Sequence, residues 1–220
     1  MTTSTAIRVF LVDDHPLVRD WLKSLLQMEA DVVVSGEADD AGAALAAMIA
    51  DPPDIAVVDL SLRRSSGLDL IKSLRGQLPE VRVLVLSMHD EIAYVERALR
   101  AGARGYVMKG ESSSQIVPAI RRIHSGSIYA TPDVFSRLAE RLAGKPPIDV
   151  EVTVDVLSDR ELEVFRRLGD GQTTRRIAED LHVSQKTVQT YCARIKEKIG
   201  LGDSAGLNMA AIRWRSSGKL

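Results

Sequence analysis

Five polar side chains suited to chemistry follow short apolar segments in the first half of the chain: Asp13, Asp14, Asp59, Ser87 and Lys109. If those segments are parallel strands, the residues directly after them meet at one edge of the sheet, where ligands usually bind. A single carboxylate in such a position is often only a helix cap. Three buried carboxylates repel one another unless a cation lies among them, so the set as a whole predicts a cation site.

The ligand types indicate the cation and the reaction. Carboxylate oxygens suit Mg²⁺, with Mn²⁺ as an alternative, and the lack of thiolates or clustered histidines disfavours Zn²⁺. An aspartate beside such an ion can attack a phosphoryl group and form an acyl phosphate. The metal and an ammonium group then neutralise the phosphoryl oxygens, and a hydroxyl can donate to one of them.

The elements that would position these side chains alternate through the first 125 residues. Apolar residues at helical spacing, such as Leu17, Trp21 and Leu25, separate five segments that predict buried strands. These segments are Ile7–Val12, Val32–Ser35, Ile55–Val58, Val83–Leu86 and Gly105–Met108. Because parallel strands need crossover helices, the order predicts a (βα)5 doubly wound parallel sheet of the flavodoxin-like type. Pro118 falls inside the fifth predicted helix, beyond its first turn, and is expected to cost a hydrogen bond or to kink the helix.

The pattern weakens from residue 126 to residue 152, where several Gly and Pro residues occur. We predict a linker there with one helix, Asp133–Leu142. Four helical segments without a strand pattern follow: Leu157–Leu168, Thr174–Leu181, Ser184–Ile199 and Ser204–Trp214. The sequence therefore predicts an α/β domain over residues 1–125, a linker over 126–152 and a small all-α domain over 153–220.

Charge and composition restrict the partners. Residues 153–220 hold 12 Lys and Arg against 9 Asp and Glu, whereas the whole chain has a net charge of −1. A positive second domain permits a nucleic-acid partner without proving one. No apolar run approaches the roughly 20 residues of a membrane helix, and the first residues lack the pattern of a secretory signal. The single cysteine, Cys192, excludes an internal disulfide, so we expect a cytoplasmic protein with no membrane partner.

The helical domain carries the pattern of a helix-turn-helix unit. Ser158 and Glu161 have the spacing of a capping box, and Ser184 can cap the third helix. Donor side chains on the exposed side of that helix could reach base edges and phosphates in a major groove. They are Lys186, Gln189, Thr190, Arg194, Lys196 and Lys198. A basic helix face is by itself more often a solvated surface.

Residues 5–125 resemble the receiver domains of two-component systems, on the strength of the carboxylate, hydroxyl and lysine positions. The resemblance implies that Asp59 is the phosphoacceptor, that Lys109 contacts the phosphoryl group, and that Ser87 and Tyr106 form a switch. The implied metal ligands are Asp13, Asp14, Asp59 and the backbone carbonyl of Ser61. Gly67 matches the turn glycine that follows the acceptor strand. For Tyr106, an ordinary half-buried strand aromatic is an equally good interpretation.

Residues 155–214 resemble the LuxR-type helix-turn-helix domain of NarL/FixJ-class response regulators. The matching segments are residues 157–164, Ile177-Ala178 and residues 183–188. The resemblance implies phosphate contacts from Lys186 and Thr187, and positions close to bases for Gln189, Thr190 and Ala193. Gln189 stands where lysine is common in this class, so base preference could differ.

The combined hypothesis is a phosphorylation switch. A sensor histidine kinase donates a phosphoryl group to Asp59, and a homodimer then binds two half-sites in double-stranded promoter DNA. Two alternatives stay open at this point. One is a metal-dependent phosphatase, although Ser61 stands where a second acid would be needed. The other is a signalling adaptor or a constitutive DNA binder whose last domain works independently of phosphorylation.

Overall fold

The protein is described by a computed structural model. It covers residues 6–62, 65–88, 92–109, 113–132, 134–136, 139 and 154–217. The chain forms two compact units, Met1–Ala139 and Glu140–Leu220. Among the described residues, no helix is both long and apolar enough to cross a membrane.

The first unit is built on a parallel sheet. Its strands are β1 Ile7–Val12, β2 Val32–Ala38, β3 Ile55–Val58, β4 Arg82–Ser87, β5 Gly105–Met108 and β6 Tyr129–Ala130. Their order is β2-β1-β3-β4-β5-β6, and every neighbouring pair is parallel. The doubly wound parallel sheet is thus confirmed, and the ends of β1, β3, β4 and β5 are consecutive along one edge.

Helices connect the strands and cover the sheet. They are α1 Pro16–Leu26, α2 Ala41–Ala50, α3 Gly67–Gln77, α4 Ile92–Ala101 and α5 Ile116–His124. Alternate strand residues such as Val9, Val57 and Leu84 pack with buried residues of α1 and α5 in one core. Because strand side chains alternate between the faces, Phe10, Val58 and their neighbours are left for the face covered by α2, α3 and α4.

Two expectations for the first unit were wrong. Pro118 was expected beyond the first turn of its helix, but a 3-10 turn over Ser113–Gln115 precedes α5 and Pro118 is only the third residue of α5. The missing N–H of Pro118 is therefore one that has no intrahelical partner anyway. The segment after residue 125, predicted as linker, contributes β6, which pairs with β5 through Gly105 and Tyr129. A strand of two residues has no periodicity that sequence inspection could detect.

The second unit is helical. After a 3-10 turn at Val154–Val156 come α6 Asp159–Gly169, α7 Thr174–Asp180, α8 Gln185–Ile199 and α9 Ser204–Ser217. The rings of Phe165 and Trp214 pack in its core with centroids 5.7 Å apart. All four predicted helices are confirmed, with ends shifted by up to three residues. The predicted helix Asp133–Leu142 lies mostly outside the described residues, of which 134–136 and 139 are helical.

The helix starts follow the predicted capping. Ser158 caps α6, and the side chain of Glu161 returns to the Ser158 backbone N–H, which completes the capping box. Ser184 caps α8 by accepting a hydrogen bond from the Thr187 N–H at 3.0 Å. His182, in the turn between α7 and α8, has a φ of 51°, a left-handed conformation that histidine tolerates better than branched residues.

Candidate functional site

The sheet edge brings the predicted polar residues to adjacent strand ends. The Asp59 N–H donates to the carbonyl of Val12 at 2.8 Å, which fixes the end of β3 against β1. The Lys109 N–H donates to the carbonyl of Ser87 at 2.8 Å, which fixes the end of β5 against β4. The backbone ladder therefore continues one residue beyond the strands and sets the spacing of the side chains.

Lys109 joins two of the buried carboxylates. Its Nζ lies 2.6 Å from Asp13 Oδ2 and 2.7 Å from Asp59 Oδ2. The Lys109 side chain is only 10% exposed, and both carboxylates are more deeply buried. In this position the Lys109 ammonium group can also contact an anionic group that becomes attached to the Asp59 carboxylate.

Burial and neighbouring charges shift the pKa values of Asp59 and Lys109. Burial raises the pKa of Asp59, and the negative charge of Asp13 adds to that rise, against the opposing attraction of Lys109. Burial alone would lower the pKa of Lys109, but the charges of Asp59 and Asp13 outweigh it and raise that pKa. Lys109 is therefore a permanent cation in this cluster.

Asp14 and His15 complete the cluster. Single ligand atoms from Asp13, Asp14, His15 and Asp59 all lie within 4.8 Å of one another. The His15 Nδ1 is 2.8 Å from Asp14 Oδ1 and 3.2 Å from Asp13 Oδ1. Three carboxylates against one lysine leave a net negative charge, which a divalent cation with oxygen ligands would neutralise. The residues present therefore fit the predicted metal.

The loop after β3 holds the Asp59 carboxylate from the other side. The Ser61 N–H donates to Asp59 Oδ1 at 3.2 Å, so the Ser61 backbone lies next to the carboxylate. Gly67, the first residue of α3, approaches the same loop closely. A Cβ atom built on Gly67 would lie 2.1 Å from the Asp59 carbonyl oxygen, so no other residue fits without moving the loop.

Ser87 and Tyr106 lie on neighbouring strands and are both fully buried. Tyr106 is paired with Val85, and Ser87 is paired with Met108. Since side chains two residues apart share a face, the hydroxyl of Ser87 and the ring of Tyr106 emerge from the same face of the sheet. The Tyr106 ring is completely enclosed, not half-buried as considered from the sequence.

The sequence analysis did not identify two residues beside the acidic pair Asp13 and Asp14. His15 was not among the predicted ligands, although it directly follows Asp14. Arg19, one turn into α1, donates from Nη1 to the Asp13 carbonyl oxygen at 2.6 Å and so holds the loop after β1. An arginine in the first turn of a helix could have indicated this contact with the preceding loop. An arginine exposed on the surface has the same sequence pattern, so the two cases cannot be separated from the sequence.

In the second unit, α8 presents the predicted donor face. Five side chains lie within an arc of about 140° around the helix at 3.6 residues per turn, and all are exposed. They are Lys186, Gln189, Thr190, Ala193 and Arg194. The opposite side carries the buried residues Val188, Ile195 and Ile199. Thr187 and Lys196, both half-buried, flank this face.

Lys198 does not belong to that face. It is twelve residues beyond Lys186, about 18 Å further along the helix axis and about 120° around it. Its Nζ lies 2.6 Å from Glu161 Oε2. Burial favours the neutral form of Glu161, but hydrogen bonds from Lys198 and Ser158 outweigh it and lower the pKa of that carboxyl. Lys198 therefore ties α8 to α6.

Comparison with known proteins identifies both domains. The model of the response regulator receiver domain matches residues 9–121, and that of bacterial regulatory proteins of the luxR family matches residues 155–211. The transcriptional regulatory protein MctR of Rhizobium johnstonii is 35% identical over 94% of both chains. The probable transcriptional regulatory protein NarL of Mycobacterium tuberculosis is 35% identical over 95% of both. The chain belongs to the NarL/FixJ class of response regulators.

A solved structure agrees with this assignment over the full length. The RcsB response regulator of Salmonella typhimurium is 25% identical, with a TM-score of 0.69 over 98% of this chain and 100% of that one. As a response regulator with a LuxR-type domain, the protein is a transcription regulator rather than an enzyme in the usual sense. The alternatives of a phosphatase and a signalling adaptor are therefore set aside.

Proposed function

We propose that Asp59 is the phosphoacceptor of this response regulator and that a sensor histidine kinase is its phosphoryl donor. A carboxylate oxygen of Asp59 attacks the phosphorus, the bond from phosphorus to the donor imidazole breaks, and the electron pair leaves with the imidazole. The observation that carries the proposal is the contact of Lys109 with both Asp13 and Asp59 at the sheet edge. The receiver catalyses only this transfer and the hydrolysis of its own acyl phosphate.

The metal is proposed to be Mg²⁺, or Mn²⁺, held by Asp13, Asp14, Asp59 and the Ser61 carbonyl. When bound, it supplies charge neutralisation for the phosphoryl oxygens. Lys109 orients the carboxylate before transfer and then contacts a phosphoryl oxygen, because the carboxylate charge that it balanced becomes part of the acyl phosphate.

Ser87 and Tyr106 are proposed to transmit the modification. The Ser87 hydroxyl, at the end of β4, can donate to a phosphoryl oxygen on Asp59. Movement of that hydroxyl changes the space on the face of the sheet that Tyr106 shares. A fully enclosed ring responds by repacking, since interiors are close-packed and do not deform continuously.

DNA binding is proposed for the exposed face of α8. Lys186 and Thr187 would contact phosphates near the helix N-terminus, while Gln189, Thr190 and Ala193 approach base edges. Arg194 and Lys196 add phosphate contacts on the two sides. Lys198 is omitted from this surface because of its ion pair with Glu161.

The active form is proposed to be a homodimer on promoter DNA. One short recognition helix contacts few base pairs, so two are needed for useful specificity. RcsB, the structural relative, has been solved as dimers bound to DNA. Residues from the end of β6 to residue 152 are proposed as the connector between a receiver domain and a DNA-binding domain that starts at 153. The site of action is the cytoplasm, where bacterial promoter DNA lies.

The acceptor assignment is tested with acetyl phosphate and Mg²⁺, followed by intact-protein mass spectrometry. We expect one phosphoryl group on the parent and none on Asp59→Asn. Asp51→Asn is the matched control, because Asp51 is exposed and pairs only with Arg8 in the described contacts, and it should be modified like the parent. Equal modification of Asp59→Asn and the parent would contradict the proposal.

A further inference from the structure

The imidazole of His15 lies beside the acidic pair at the metal site proposed above. We infer that His15 supplies a nitrogen ligand to that site, so that the site prefers divalent transition metals such as Ni²⁺ and Co²⁺ over Mg²⁺. The inference rests on the proposed metal site and adds a ligand and a metal preference to it.

The spacing of the ligand atoms fits one coordination sphere. Ligands on neighbouring vertices of an octahedron with bonds of about 2.1 Å are about 3.0 Å apart. The distances from His15 Nδ1 to Asp14 Oδ1 and Asp13 Oδ1, 2.8 and 3.2 Å, lie on either side of that value. A common ion could therefore bind the imidazole and both carboxylates without a large rearrangement.

The backbone explains why the ring is available at this position. His15 is the N-cap residue of α1, with extended backbone angles of φ −98° and ψ 109°, but its side chain caps nothing. Ser, Thr, Asp or Asn at an N-cap would usually satisfy a free N–H of the first turn. The imidazole instead points back to the carboxylates, and Pro16 fixes the start of the helix beside it.

The chemistry of imidazole sets the expected metal preference. Mg²⁺ favours oxygen ligands and keeps its waters, whereas Ni²⁺ and Co²⁺ bind imidazole nitrogen well. The ring is half exposed, with 53% of its side-chain surface accessible, so packing does not prevent the small rotation that metal binding needs. A nitrogen ligand thus adds affinity for transition metals and little for Mg²⁺.

An alternative role for the His15 ring is a simple hydrogen bond from its N–H to Asp13 Oδ1, at 3.2 Å. Asparagine separates the two roles, because its side-chain amide keeps a donor at the position of Nδ1 but offers no imidazole nitrogen. His15→Asn and His15→Ala are therefore compared. His124→Ala removes a histidine outside the cluster and controls for binding elsewhere on the full-length chain.

The test is isothermal titration calorimetry of the full-length protein with Mg²⁺ alone and with Ni²⁺ alone. We expect both His15 variants to weaken Ni²⁺ binding about tenfold or more and to change Mg²⁺ binding by less than about twofold. Co²⁺ provides a spectroscopic readout, since removal of a nitrogen ligand alters its visible absorption. His124→Ala should behave like the parent throughout.

Three other outcomes would overturn either the assignment of His15 as a ligand or the proposed metal site. Unchanged Ni²⁺ binding in both His15 variants excludes the nitrogen ligand. Equal weakening of Mg²⁺ and Ni²⁺ binding in His15→Ala, with both restored in His15→Asn, would mean that His15 only positions Asp13 through a hydrogen bond. If Asp14→Asn and Asp59→Asn left the binding of both ions intact, the proposed metal site itself would be wrong, whatever His15 does.

Discussion

At the scale of single residues, the site keeps its carboxylates in an unfavourable environment. Asp59 is 3% exposed and shares Lys109 with Asp13, so one ammonium group balances two carboxylates. Burial raises the pKa of Asp59 even with Lys109 in contact. Burial therefore disfavours the ionised form of Asp59, which is the proposed nucleophile.

A raised pKa makes a prediction about stability. The folded state retains a proton on Asp59 at pH values where the unfolded chain has released it. The stability that the folded state gains from this proton is therefore fully present below the ordinary Asp pKa of about 3.9. It is lost as pH rises through the pKa of Asp59 in the folded state. Asparagine cannot ionise, so we expect Asp59→Asn to unfold with a free energy about 1–3 kcal/mol higher than the parent at pH 7. The difference in the free energy of unfolding between Asp59→Asn and the parent should shrink toward about pH 4.

The measurement is urea-dependent hydrogen exchange of β1 and β3 peptides in the full-length protein, in buffer with a chelator. Asp51→Asn removes only an exposed ion pair with Arg8 and should change stability by less than about 1 kcal/mol. A less stable Asp59→Asn protein at pH 7 would mean that Lys109 outweighs the cost of burial.

The residues of the sheet edge could be predicted from sequence because strand order decides where they lie. Asp13, Asp59 and Lys109 each follow an apolar strand directly, Asp14 follows Asp13, and the structure brings these residues together. His15 could not be predicted in the same way. Its contact depends on an N-cap backbone that turns the ring toward the loop, and a sequence does not specify that rotation.

At the scale of elements, the start of α3 controls the loop that carries Asp59. The Cβ of alanine at Gly67 would lie 2.1 Å from the Asp59 carbonyl oxygen and 2.7 Å from Leu60 Cα. These are backbone atoms, so no rotamer change can relieve the contact. We expect Gly67→Ala to lower the free energy of unfolding by about 1–3 kcal/mol and to slow phosphorylation by acetyl phosphate.

Gly76 in the same helix is the matched control. A Cβ on Gly76 meets no atom within 4 Å, and alanine favours the helix by about 0.5–1 kcal/mol. Gly76→Ala should therefore be neutral or stabilising and should be phosphorylated at the parent rate. Normal phosphorylation of both variants would show that the loop moves without disturbing Asp59.

Sequence patterns predicted long elements well and short or context-dependent ones poorly. The five longer strands follow from continuous apolar segments, and the helices of the second unit follow from their spacing and caps. β6 was not predicted, because the pairing of its two residues with β5 depends on tertiary contact. The effect of Pro118 was misjudged because the helix begins at Ile116, and helix starts are uncertain where no capping residue marks them.

At the scale of the whole molecule, the two units divide the work of sensing and binding. The receiver holds the acidic cluster, and the second unit presents the donor face of α8. A phosphoryl group at Asp59 can affect DNA binding only if it favours one arrangement of the chain over another. The electrostatic part of the resulting DNA affinity is accessible to experiment before any promoter is known.

The last prediction separates the lysines of α8 by their surroundings. Lys186 is exposed at the first turn of α8, whereas Lys198 is held by Glu161 at its far end. Binding to a 30-base-pair duplex of random sequence is measured by fluorescence anisotropy over a range of salt concentrations, with Mg²⁺ and beryllofluoride present. We expect Lys186→Ala to reduce the slope of log K against log salt by about 1 for each phosphate that the protein no longer neutralises. Lys198→Ala should leave the slope unchanged, because that ammonium group is already neutralised within the domain. An equal reduction of the slope in both variants would mean that the Glu161 pair opens on DNA and that the binding surface extends along the whole helix.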